Sequence, residues 1–120
     1  ESLQLNDCNF SNKTKVELNI KNLIINDCEN VNISLYEDIK TLSRLQIVNC
    51  KNINLKGISK LSNLSEILLQ NISMNKILGV KSLKKLNLNG SKIENLDKIN
   101  KMPNLYIEHE EINGLYDEEY

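Results

Sequence analysis

Apolar residues return along the chain in one frame, Leu-x-x-Leu-x-Leu-x-x-Cys, with Leu, Ile or Met exchanging at the aliphatic positions. The frame is read as Ile20-x-x-Leu23-x-Ile25-x-x-Cys28, then Leu42-x-x-Leu45-x-Ile47-x-x-Cys50, then Leu64-x-x-Ile67-x-Leu69-x-x-Ile72. It continues as Leu83-x-x-Leu86-x-Leu88-x-x-Ser91 and Met102-x-x-Leu105-x-Ile107-x-x-Glu110, and it begins in shortened form at Leu3-x-Leu5-x-x-Cys8. The markers Leu3, Leu23, Leu45, Ile67, Leu86 and Leu105 are 20, 22, 22, 19 and 19 residues apart. A fixed period of this size signals stacked structural units.

The alternation at each marker is that of an extended strand, whose successive side chains leave on opposite faces. Leu45 and Ile47 therefore share one face, and Arg44, Gln46 and Val48 the other. After Cys50 the apolar residues Ile53, Leu55, Ile58, Leu61 and Leu64 fall about one per 3₁₀ or helical turn. The chain is expected to return with that stripe inward, so that stacked strands form a parallel sheet over one continuous core.

The frame resembles the leucine-rich repeat family over essentially all of residues 1–120. The stretch LKKLNLNGSKIENLDKINKM, with Ile93, Leu96, Ile99 and Met102 at three-residue steps, looks like the short internalin-like class of about 22 residues per repeat. The resemblance implies an α/β solenoid of about six coils, with parallel strands on a concave face and 3₁₀, helical or irregular returns on the convex one. It implies one domain, complete or cut from a longer array, and a function in binding a protein partner. The chain departs from the family at the turn slot usually held by Asn or Cys, here Cys8, Cys28, Cys50, Ile72, Ser91 and Glu110. The preceding positions, Asp7, Asp27, Asn49, Asn71, Gly90 and His109, are residue types that favour turns and accept positive φ. The turn chemistry is thus expected to be shifted by one residue.

Composition narrows the function. Lys and Arg number 15 against 16 Asp and Glu, a formal net charge of -1, which gives nucleic acid no basic surface to bind. No apolar run reaches the roughly 18 residues of a membrane span. The chain opens at Glu1 without a starting Met or a secretory signal, as a processed form or an excised domain would. Cys8, Cys28 and Cys50 follow the repeat instead of zinc-ligand spacing and are expected as an inward ladder. Their odd number favours a reducing, cytoplasmic setting, and a bacterial cell surface is the other setting the resemblance allows. No cofactor motif is present. The single histidine, His109, lacks the second His of a metalloprotease helix, and Glu108, Glu110 and Glu111 read as a solvated charge run. The chain is therefore expected to be non-enzymatic, with no catalytic or metal residues. Sequons at Asn9, Asn12, Asn32, Asn63, Asn71 and Asn89 read as chance matches in an Asn-rich chain, and residues 116–120 as an acidic tail.

The functional expectation falls on the outward strand positions. Ile24, Val48, Leu68 and Tyr106 are apolar on a face that needs no apolar residue to fold, and Arg44, Gln46, Glu66 and Lys85 accompany them. Apolar anchors rimmed by polar groups are how protein interfaces concentrate their energy. The other possible role is that of a structural spacer or part of a larger surface adhesin, and an inhibitor or immunity protein of one cytosolic partner is a third.

Overall fold

The computed structural model describes residues 1–12, 19–74, 80, 82–93 and 106–108. Its strands are β1 (Ser2–Asn6), β2 (Asn22–Asn26), β3 (Arg44–Val48), β4 (Glu66–Gln70), β5 (Ser73–Met74), β6 (Lys85–Asn87), β7 (Lys92–Ile93) and β8 (Tyr106–Glu108). One six-stranded sheet runs β1-β2-β3-β4-β6-β8, every neighbouring pair parallel, and β5 and β7 form a second, two-stranded sheet. Strand order thus follows chain order, the signature of a repeat-like parallel fold.

The alternating pattern decides which face is buried. Leu23, Ile25, Leu45, Ile47, Ile67, Leu69 and Leu86 are all 0% exposed, and the residues between them are not buried. Leu3 and Leu5, on the outermost strand, are only partly covered. The stripe behind the sheet closes the core from the other side, with Leu55, Ile58, Leu61 and Leu64 buried and Ile53 packed against them.

Two backbone devices recur at the strand ends. The carbonyl oxygen before each of β1, β2, β3 and β4 accepts two N–H groups of the next unit: Glu1 from Lys21 and Asn22, Lys21 from Ser43 and Arg44, Ser43 from Ser65 and Glu66, Ser65 from Lys84 and Lys85. At the other end the turn position has positive φ at Asp7 (55°), Asp27 (55°), Asn49 (53°), Asn71 (55°) and Gly90 (72°). Asp, Asn and Gly tolerate that conformation where a branched side chain would not, which is the shift of turn chemistry the residue types suggest. His109, the sixth such position, lies outside the described residues. Asn30 and Asn52 form a second positive-φ pair on the return side, at 55° and 56°, joined by Asn52 Nδ2 donating to Asn30 Oδ1 at 3.3 Å.

The returns contain three short 3₁₀ segments, Phe10–Asn12, Ile33–Tyr36 and Ile58–Lys60, and no α-helix among the described residues. Asn32 caps the second by accepting the Ser34 N–H. The Phe10 and Tyr36 rings meet edge to face with centroids 6.2 Å apart. No helix of the described residues is long and apolar enough to cross a membrane.

The register corrects one sequence expectation. Leu3, Leu23, Leu45, Ile67 and Leu86 pair in succession as the frame requires, but Leu86 then pairs with Ile107 and not with Leu105. The final spacing is therefore 21 residues, from Leu86 to Ile107, and not 19. Leu105 and Glu110, and the acidic tail at 116–120, lie outside the described residues.

Candidate sheet-face binding site

Positions on the exposed side of the main sheet align in rows across the strands. The first row reads Ser2, Asn22, Arg44, Glu66 and Lys85, with Tyr106 next in main-chain register; the second reads Gln4, Ile24, Gln46, Leu68 and Asn87, with Glu108 next in register. A third row, Asn6, Asn26, Val48 and Gln70, completes the longer strands. The register alone places Tyr106 and Glu108. Ile24, Val48 and Leu68 are half-buried.

Amides bind one another across the strands. Gln46 Nε2 donates to Asn22 Oδ1 at 3.3 Å, Asn26 Nδ2 to Asn6 Oδ1 at 3.1 Å, and Gln4 Nε2 to the same Asn6 oxygen at 3.2 Å. These bonds hold the side chains in place while leaving acceptor and donor atoms, such as Gln46 Oε1, unused. Arg44 Nε stands 3.6 Å from Glu66 Oε2, too far for a hydrogen bond, and is itself buried without a hydrogen-bond partner. With the Arg44 side chain 42% exposed, the pair contributes at most about 1 kcal/mol. Past the far end of β6, Asn89 Oδ1 is also buried without a partner.

Beneath the turn lies the thiol ladder. The Cys8 N–H donates to Cys28 Sγ at 3.3 Å and the Cys28 N–H to Cys50 Sγ at 3.4 Å, while each thiol donates back to a strand-end carbonyl, Cys28 to Asn26 O at 3.2 Å and Cys50 to Val48 O at 3.3 Å. Ser91 holds the same position with oxygen, accepting the Ile72 N–H at 3.1 Å and donating to Leu69 O of the preceding strand at 2.8 Å, as the Cys28 thiol reaches Leu5 O at 3.6 Å and the Cys50 thiol Ile25 O at 3.5 Å. Burial pushes the Cys28 and Cys50 thiols up, partly offset by the N–H groups they accept. All three cysteines are free.

No group of His, Cys, Asp and Glu among the described residues is placed to hold a metal ion. His109, Glu110 and Glu111 lie outside them. At two of the sequons the amide nitrogen is already engaged: Asn63 Nδ2 donates to Lys40 O and Asn71 Nδ2 to Asn49 Oδ1, both at 2.6 Å. The sequence-selected Ile24, Arg44, Gln46, Val48, Glu66, Leu68, Lys85 and Tyr106 all fall in these rows. Gln4, Asn22 and Asn87 are outward strand positions in the sequence as well, but their place in the rows appears only when the same strand position is compared across units.

No protein-family model, curated protein or solved structure matches the chain.

Proposed function

We propose that the chain is a leucine-rich repeat solenoid that acts as a non-catalytic binding module and holds a protein partner on the outward face of its main sheet. The observation that carries this reading is the set Ile24, Val48 and Leu68. Every described aliphatic residue on the inward side of β2, β3 and β4 is fully buried, so the fold has its core without these three. Aliphatic side chains held half-open among ordered amides give up water readily when a complementary surface covers them. Arg44 and Glu66 beside them supply direction more than strength, since exposed ion pairs chiefly tune specificity and approach.

The test is a partner-capture experiment with the single variants Val48→Asp and Leu68→Asp, each first shown to keep the urea midpoint of the parent. A partner held by the parent chain and released by both variants is the expected result. Retention by both folded variants would remove the sheet face from the binding function.

A further inference from the structure

The second row alternates chemically along the sheet as Gln4, Ile24, Gln46, Leu68 and Asn87, amide and aliphatic in turn, each residue in register with the next. Its aliphatic members are two strand steps apart, ~9.6 Å at the usual spacing of neighbouring strands. That distance selects among ligand shapes. An extended β-strand presents same-side residues every ~6.7 Å, and an α-helix every ~6 Å at four residues or ~10.5 Å at seven. A polyproline II segment repeats every third residue at ~9.3 Å, the nearest match.

The amides favour the same conformer. A helix has already used its main-chain hydrogen bonds, whereas a polyproline II chain makes none internally and carries its carbonyl groups outward. Gln46 lies between Ile24 and Leu68, anchored through one N–H by Asn22 Oδ1. Its second N–H and its Oε1 are left to meet main-chain groups of a ligand crossing above. Gln4 and Asn87 offer the same chemistry one step beyond each aliphatic residue. Charge points to an uncharged ligand: Gln4, Ile24, Gln46, Leu68 and Asn87 carry no charge, and in the neighbouring row Arg44 stands against Glu66 at 3.6 Å.

We infer that the row Gln4, Ile24, Gln46, Leu68 and Asn87 binds an extended, uncharged polypeptide segment in the polyproline II conformation, with an aliphatic residue at every third position. This rests on the sheet-face reading above and names the partner class. Two ligand side chains sit on Ile24 and Leu68, and the main chain between them is bonded by Gln46.

The experiment uses two fluorescein-labelled peptides of equal composition, one repeating Leu-Pro-Ser four times and one with its leucines at alternate positions, titrated with the whole chain by anisotropy. The third-spaced peptide is expected to bind at least ~10-fold more tightly, a difference of about 1.4 kcal/mol. Leu68→Asp should abolish that binding, and Gln46→Ala should weaken binding of the third-spaced peptide by removing its main-chain bonds, both with unchanged far-ultraviolet circular dichroism. Equal affinity for the two peptides, no binding of either at millimolar chain, or binding unaffected by Leu68→Asp overturns the inference. If the spacing preference is absent while partner capture is still lost in the folded Leu68→Asp chain, the sheet face remains a binding surface and only the ligand conformation assigned here falls.

Discussion

The backbone N–H of Cys28 is donated to the Sγ of Cys50, 3.4 Å away on the next unit, while the Cys28 thiol itself donates to the Asn26 carbonyl. A side chain 22 positions on in the sequence thus satisfies a buried main-chain donor. The cysteines are not interchangeable with small apolar residues for this reason. Cys28→Ala should cost about 1–3 kcal/mol in urea unfolding, since it leaves the Cys8 N–H without its acceptor. Cys28→Ser should cost less, because at the equivalent position the Ser91 oxygen already accepts the main-chain N–H of the preceding unit, that of Ile72.

Thiol chemistry should separate along the ladder. Burial raises the pKa of Cys28 and Cys50 and so lowers the thiolate fraction at any given pH. Titration of the native chain with an aromatic disulfide reagent at pH 8 should modify Cys8, which is only partly buried, ahead of the other two. In denaturant the three should react at one rate. Prompt native reaction of Cys50 would contradict the buried ladder.

Tyr36 sets an alkaline limit. The residue is 1% exposed and its hydroxyl is pushed up to about 12 from 10.0, chiefly by burial. Above pH 10 the unfolded phenol loses its proton while the folded one keeps it, so stability falls progressively between about pH 10 and 12. Below pH 10 this contribution is present in full. Absorbance of phenolate should show one of the four tyrosines ionising late, and Tyr36→Phe should flatten the alkaline fall in melting temperature.

Gly57 has φ 93°, and a Cβ placed there would lie 2.6 Å from Glu37 Oε2. That carboxylate also pairs with Lys60 at 3.5 Å. Gly57→Ala should therefore destabilise by more than the roughly 1 kcal/mol of left-handed strain alone. Removing the obstacle with Glu37→Ala should recover only the steric part. A double-mutant cycle in urea separates the two, and strict additivity would show that Glu37 moves aside without cost.

Much of this architecture is legible in the chain, because period-two burial and turn chemistry are local. Leu23, Leu45, Ile67 and Leu86 announce their own register, and Asp27, Asn49 and Gly90 announce their turns. The last strand is different. A slip by one residue would turn an aliphatic face outward, but a slip by two leaves the same face inward. Pattern alone therefore cannot separate Leu105 from Ile107 as the partner of Leu86, and main-chain pairing chooses Ile107. The return side is also less legible. The short β5 and β7 pair and the isolated bridges joining Asn9, Glu29 and Lys51 depend on contacts between units, for which no single segment carries a signal. On the candidate face, the individual apolar residues stand out in sequence, whereas the alternation of Gln4, Ile24, Gln46, Leu68 and Asn87 exists only once strands lie side by side.

The doubly accepting carbonyls of Glu1, Lys21, Ser43 and Ser65 have a bearing on how such a chain changes over time. They clamp the starts of β2, β3, β4 and β6 to the preceding strand of the sheet through main-chain atoms, whatever the length of the segment between. Paired positions 19 and 22 residues apart are held by the same clamp, as between Ile67 and Leu86 or Leu45 and Ile67. Drift in the returns is thereby kept from the face. A whole unit copied or lost at such a clamp would lengthen or shorten every row by one residue and leave the remaining residues facing as before, so that binding breadth and return length are free to vary separately.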